Sequence, residues 1–202
     1  ARLGRRKWVE YPMAALPDQT MEMARELPKP SFVEENRLTN DRDLIAIADC
    51  IMQAIENAGL RYDTKHNQVG LVVTHESPGL SEHVRGFFRW RTTAWAWLRS
   101  PHRLNPPEFL YEQQSESVYR MHGFLYLHYL SALFQLHGFG LYTNNACASG
   151  AFALAVAADR IRSGELAACI VSGGDLPEDG TKYRWFRDRG LYSPSGMCRP
   201  FS

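Results

Sequence analysis

The stretch TNNACASGAFALAVAADRIRSGELAACIVSGG, residues 143–174, constrains the fold more than any other. From Ala148 the sequence reads as a helix that is apolar on nearly every side until Asp159. A helix without a polar face has to be covered on several sides, which predicts burial in the middle of a layered molecule. A short strand, LYTNN, precedes it, and a second strand, AACIVSGG, follows it. Gly164 stands at the C′ position, where glycine accepts a left-handed backbone.

The rest of the chain supplies the layers. TNDRDLIAIADCIMQAIENAGL predicts a helix capped by Asn40, with Asp43 three residues on in a variant of the capping box. Leu44, Ile47, Ala48, Ile51, Ile55 and Ala58 form its apolar face, Gly59 ends it, and Cys50 reads as an inert buried thiol. QVGLVV, residues 68–73, is an unbroken apolar run, the pattern of a strand covered on both faces. MHGFLYLHYLSALFQLHG predicts a further helix, with Phe124, Leu127, Leu130, Leu133 and Phe134 inward and Gly138 closing it. Helices alternating with strands define the α/β class of layered fold.

Two segments fit this scheme less directly. Residues 1–38 hold Pro12, Pro17, Pro28 and Pro30 without a clear period and read as an irregular segment wrapping the surface. Residues 84–120 form an aromatic insertion that includes Phe87, Phe88, Trp90, Trp95 and Trp97. Packing on itself or on a partner subunit, or forming the wall of an apolar pocket, are the two readings, and the first is the commoner use of such clusters.

Composition narrows the function classes. A hydrophobic content of 45% and a charged content of 22% are those of a globular chain, and a net charge of +1 gives no reason to expect nucleic acid or an anionic membrane as a partner. Cys50, Cys147, Cys169 and Cys198 are widely spaced and form no CxxC pair, which argues against a zinc site and a disulfide scaffold and fits a reduced, cytoplasmic setting. No run approaches the ~20 apolar residues of a membrane span.

Cys147 is the candidate nucleophile. It sits between Ala146 and Ala148, ahead of Ser149 and Gly150, where a strand feeds a helix through a tight turn. Small neighbours leave room for a substrate to approach, and the geometry parallels the nucleophile elbow of serine hydrolases. The first amides of a helix are unpaired and carry the positive end of its dipole, which favours a thiolate and can also hold an oxyanion. The Cys147 backbone N–H is the candidate oxyanion donor. The plainer reading is a small buried cysteine at a helix start. Cys169 and Cys198 read as packing residues.

This segment resembles the active-site region of the β-ketoacyl-acyl carrier protein synthases, members of the thiolase superfamily. The shared pattern is an Ala-Cys-small-Ser-Gly turn, an alanine-rich helix, an exit through IRSGE and a strand ending in Gly-Gly. GLYSPSGMCRPFS, residues 190–202, resembles a later family segment containing CRPF. AIENAGL and VGLVV match the family's order, and the likeness runs from about residue 38 onward, weakest over 84–135. The resemblance implies a layered thiolase-like α/β fold, a mixed sheet flanked by helices with a buried central helix starting at the cysteine turn, of which residues 1–202 are the N-terminal half.

It also implies a chemistry. Cys147 takes an acyl group from a thioester and passes it to a carbanion made by decarboxylating a malonyl thioester, in fatty acid or polyketide synthesis. The partners implied are an acyl carrier protein, acyl and malonyl thioesters, and a second copy or a complementary C-terminal half. No metal or redox cofactor is implied. The family's two catalytic histidines and its lysine follow the CRPF segment, whereas all seven histidines here, His66 to His137, precede Cys147. The half represented by this chain is therefore expected to be inactive by itself. A silent partner subunit, a thiolase-type acyltransferase and a Cys–His hydrolase are the alternatives, and the intact ACASG turn counts against the first. Lys182, Arg184, Arg187 and Arg189 cluster in TKYRWFRDRG, either as a solvated loop or as a docking patch for an acidic carrier.

Overall fold

The computed structural model describes residues 20–60, 68–99, 115–175, 181–193 and 195–197. The chain divides into two compact units, one of Thr20–Leu176 and one combining Ala1–Gln19 with Pro177–Ser202.

The first unit is built on a three-stranded sheet of order β2-β1-β3, with β1 Val69–Thr74, β2 Gly140–Thr143 and β3 Ala168–Gly173. Both pairings are parallel, so the described sheet is parallel where a mixed one was expected. Every crossover passes through helix, which is what parallel neighbours require. Strand β1 is the centre, and Gly70 to Thr74 are buried as the unbroken apolar run predicted. The register sets Thr74 opposite both Thr143 and Gly173, so all three strands end at the same level.

Residues 20–38 are not the irregular wrap expected. They form α1, Thr20–Glu26, α2, Pro30–Glu35, and a 3-10 turn at Leu38–Asn40. Pro30 opens α2, where its missing N–H costs nothing. Ala24, Leu27, Val33 and Leu38 are buried in the main core, so the segment is anchored by apolar side chains despite its prolines. Residues 1–19 lie outside the described part.

Helix α3, Arg42–Asn57, makes the largest single contribution to that core through Leu44, Ile45, Ile47, Ala48, Ile51 and Ile55. Its cap is Asp41 rather than Asn40: the Asp41 side chain accepts the Leu44 N–H at 3.1 Å. Asn40 is already used in the 3-10 turn, whereas Asp41 is extended, as an N-cap must be. Gly59 follows in the left-handed conformation, as predicted. Cys50 and Ala58 fall on the solvent side, which corrects the reading of Cys50 as buried.

Helix α4 is Leu80–Leu98. Phe87, Phe88, Trp95 and Leu98 are exposed on it; the remainder of the aromatic insertion, 100–114, is outside the described residues. Helix α5, Gly123–Phe134, buries Tyr126, Leu130, Leu133 and Phe134. Phe124 lies on the far side and is 56% exposed, contrary to expectation. Closure comes at Gln135, in the left-handed region, with the Leu136 N–H returning to the Ser131 carbonyl at 3.0 Å, so Gly138 is not needed.

Helix α6, Ser149–Arg162, begins just after the cysteine turn and packs against β1 and β3. Here the sequence reading needs correction. Only Ala153 and Ala157 are buried in the helix, while Phe152, Leu154 and Ile161 are exposed. The helix is apolar all round, but among the described residues only one of its sides meets the sheet.

In the second unit, α7, Thr181–Asp188, replaces the loop expected for the basic cluster. Tyr183 stacks on Tyr192, and the Arg189 guanidinium lies 4.0 Å from the centre of the Trp185 ring. Cys198 is outside the described residues.

Candidate active site

The carboxyl ends of parallel strands are where α/β sheets gather their chemistry, because the connecting turns all emerge there. Four residues beyond the end of β2 comes Cys147, exposed, within a short 3-10 turn of Ala146–Ala148 that leads directly into α6. The sequence placed it correctly at the strand-to-helix turn.

The turn is held by a set of short-range bonds. The Asn144 side chain accepts the Ala146 N–H at 3.1 Å, and its amide group donates to the Glu76 carbonyl at 3.0 Å. Ser149 Oγ accepts the Asn145 N–H and donates to the Ala146 carbonyl, both at 2.7 Å. The Ala148 N–H returns to the Asn145 carbonyl at 3.1 Å, and the Ser149 N–H to that of Ala146. The amides of Ala146, Ala148 and Ser149 are thus bonded within the turn, not unpaired as expected of a helix start, and none of these bonds uses the Cys147 amide.

Ala146 has φ 49°, in the left-handed region. For a residue with a Cβ this costs roughly 1–2 kcal/mol. Asn144 and Ser149 grip Ala146 from both sides, and that grip offsets the cost. The left-handed Ala146 turns the chain sharply between strand and helix, and the next side chain, that of Cys147, is exposed.

Beside this turn, at the end of β1, lies a buried polar cluster that sequence reasoning missed. The His75 side chain is completely buried, with Nε2 2.9 Å from Asp43 Oδ2 and Nδ1 3.1 Å from Asp175 Oδ1. The Ser77 N–H also points at Nδ1, at 3.0 Å. One ring nitrogen carries either a proton or a lone pair, so Nδ1 serves Asp175 when protonated and Ser77 when not. Asp43, His75 and Asp175 offer ligand atoms within 4.8 Å of one another. The two carboxylates address opposite ring nitrogens, however, an arrangement of a hydrogen-bonded clamp rather than of three ligands converging on one cation.

A second buried contact supports the first. The Tyr126 hydroxyl donates to Asp41 Oδ2 at 2.6 Å and accepts the Gly79 N–H at 3.2 Å, and the Tyr126 ring lies 5.1 Å from that of His75. Burial pushes the Asp41 carboxyl above the usual carboxylate range, against the pull of the Tyr126 hydrogen bond. Burial likewise raises the Tyr126 phenol, and the Asp41 charge raises it further. The Tyr142 hydroxyl, on β2, donates to the His75 carbonyl. Burial, then the charge of Asp175, raises the Tyr142 phenol.

Cys169 is half-buried in β3, and burial pushes its thiol up, in keeping with a packing residue. Of the cysteines described, Cys147 alone stands at a turn that presents it.

Comparison with known proteins decides what this arrangement belongs to. Residues 40–202 match the family model described as the β-ketoacyl synthase N-terminal domain. The chain belongs to this family. The β-ketoacyl synthase match covers α3, the whole sheet and the cysteine turn.

Relatives agree. The chain is 26% identical over 155 residues, 77% of its length, to a reducing polyketide synthase of Cochliobolus heterostrophus. It is 31% identical over 93 residues, 45% of its length, to a highly reducing polyketide synthase of a Fusarium species. To a probable polyketide synthase of Dictyostelium discoideum it is 36% identical over 72 residues, 36% of its length. The matched segments span 6%, 4% and 3% of those three relatives. Among the described residues, no helix is long and apolar enough to cross a membrane.

Proposed function

We propose that this β-ketoacyl synthase domain is the acyl-accepting half of a condensing enzyme of polyketide or fatty acid synthesis, with Cys147 as its nucleophile. The observation that carries the reading is the exposed sulfur at the strained turn between β2 and α6, inside the segment matched by the family.

In the proposed reaction the Cys147 thiolate attacks the carbonyl carbon of an acyl thioester. The carbon–sulfur bond to the incoming carrier breaks, its thiolate leaves, and the acyl group is held on Cys147. A malonyl thioester then loses carbon dioxide, and the electron pair released forms a bond to the acyl carbon. The Cys147–acyl bond breaks, returning the thiolate and releasing a β-ketoacyl thioester. In this scheme the Cys147 N–H, in the turn ahead of α6, faces the oxyanion formed in each attack. The groups that promote decarboxylation come from the complementary half that the family's second segment supplies. A second copy of the synthase is the expected assembly partner.

Such thioesters ride on acyl carrier proteins, and Lys182, Arg184, Arg187 and Arg189 on and beside α7 form the proposed docking patch. Arg187 contacts Asp188 at 2.9 Å, and Arg189 covers Trp185, so part of the charge is locally tethered. Charge reversal at Arg184 and Arg187 is expected to slow carrier-dependent acylation and leave acylation by a small free thioester unchanged; equal rates with the carrier would remove the patch from the scheme. Free thiols at Cys50, Cys147 and Cys169 suit a reducing compartment such as the cytoplasm.

Mass analysis tests the central step. Incubation with an acyl thioester or a cerulenin-like epoxide, with the complementary half present, is expected to add one adduct on Cys147. An adduct that persists in Cys147→Ala would overturn the assignment.

A further inference from the structure

We propose that His75 is a positioning residue for Cys147, holding the cysteine turn through the backbone of residues 75 and 76; this rests on the reading of Cys147 as nucleophile. Two links join His75 to the turn. Its carbonyl receives the Tyr142 hydroxyl, from the strand that leads into the turn. The next carbonyl, that of Glu76, receives the Asn144 side chain at 3.0 Å, and the same side chain holds the Ala146 N–H at 3.1 Å. The position of the 75–76 backbone therefore sets where Asn144 sits, and Asn144 sets the strained residue next to the sulfur.

The His75 side chain fixes that backbone. Asp43 reaches it from the first turn of α3, and Asp175 from just beyond the end of β3. Three elements distant in sequence are thus pinned to one imidazole that itself has no solvent contact. A residue with a purely apolar role there would need neither carboxylate. Strand β1 is packed well enough by Leu71, Val72 and Val73 to hold its own place, which leaves the clamp acting on the segment beyond the strand.

Site-resolved alkylation with iodoacetamide, read by peptide mapping, tests this in the whole chain. Cys147 reports the turn, and Cys169, half-buried in β3, reports the fold in the same sample. Moving the turn changes how openly the sulfur is presented, and the alkylation rate reads that change. His75→Leu is expected to slow Cys147 by about fivefold or more, with Cys169 as protected as before. His75→Gln keeps one donor for Asp43 and is expected to restore most of the rate. Where His75→Leu also exposes Cys169, Asp175→Ala carries the comparison, because it removes the acceptor on one side of the clamp and leaves His75 in place; the same slowing of Cys147 alone is expected.

Unchanged Cys147 rates in His75→Leu, or in Asp175→Ala where that variant carries the comparison, overturn the proposal. So does a change that His75→Gln fails to rescue. Alkylation needs no acyl donor and no complementary half. Failure of the condensing reading would instead show as absence of a thioester adduct from a Cys147 that alkylates normally.

Discussion

Tyr126 and Asp41, 85 residues apart, share a buried hydrogen bond of 2.6 Å from the phenol to Oδ2, while Oδ1 of the same carboxylate caps α3. One side chain thus serves a helix terminus and an interhelical contact at once, and both must be satisfied because neither reaches water.

Tyr126→Phe follows directly. It removes the donor to Asp41 and the acceptor of the Gly79 N–H, and leaving buried polar groups unmet costs about 1–3 kcal/mol. The pH dependence has a definite sign. Asp41 has a folded pKa above its ordinary value, so stability is fully present below the ordinary value and declines as pH rises through the folded one. Losing the Tyr126 bond, which pulls that pKa down, moves the folded value further up and deepens the decline. Urea unfolding of the two proteins across the acid-to-neutral range is expected to show a gap that widens with pH. A constant gap would contradict this account of Asp41.

Ala146→Gly addresses the strain before the nucleophile. Glycine removes the left-handed penalty but adds chain entropy to the unfolded state, so the substitution is expected to be neutral or stabilising by up to about 1 kcal/mol. At an ordinary helical position the same change costs roughly 0.5–1 kcal/mol. Thermal unfolding separates the cases, and a clear loss of stability would mean that the left-handed turn is not held as described.

Much of this architecture was legible in the sequence, and the reasons differ by element. The apolar run at Val69–Thr74 and the face through Leu44, Ile47, Ile51 and Ile55 are local patterns, so period alone placed them. The position of Cys147 in a turn was legible because its small neighbours separate a predicted strand from a predicted helix. The clamp at His75 was not. It joins residues 32 and 100 positions from His75, and only the parallel register, with Thr74 level with Gly173, brings them together. Its one trace in the sequence is a polar residue directly after each strand, His75 and, past Gly174, Asp175. Phe124 and the outer side of α6 were misread for a related reason: an apolar side chain predicts a neighbour but not whether the described residues supply it.

Ile51 and Leu130 tie α3 and α5 into the core beneath the sheet, with 1% and 0% of their surface exposed. Truncation of either to alanine is expected to cost about 2–5 kcal/mol, with the larger loss where the surroundings collapse least. Chemical denaturation measures it. A cost under about 1 kcal/mol at either site would contradict the packing, since exposed positions behave in that way.

Gly123 opens α5 where the ring of Tyr142 lies across it, and a Cβ there would collide with that ring. Gly123→Ala is expected to displace Tyr142 and cost about 1–3 kcal/mol. Displacing the Tyr142 phenol from its burial and from Asp175 would lower its raised pKa, which ultraviolet titration reads as a difference from the parent chain. An unshifted titration with unchanged stability would place the ring elsewhere.

The sulfur at the head of α6 carries the central claim, and its acylation is the most direct measurement. The chain, together with its complementary half, is mixed with an acyl thioester and digested for peptide mass analysis. The account predicts one acyl adduct, on the peptide holding Cys147, discharged when a malonyl thioester is added and absent from Cys147→Ala. Acyl transfer that proceeds undiminished in Cys147→Ala would contradict it.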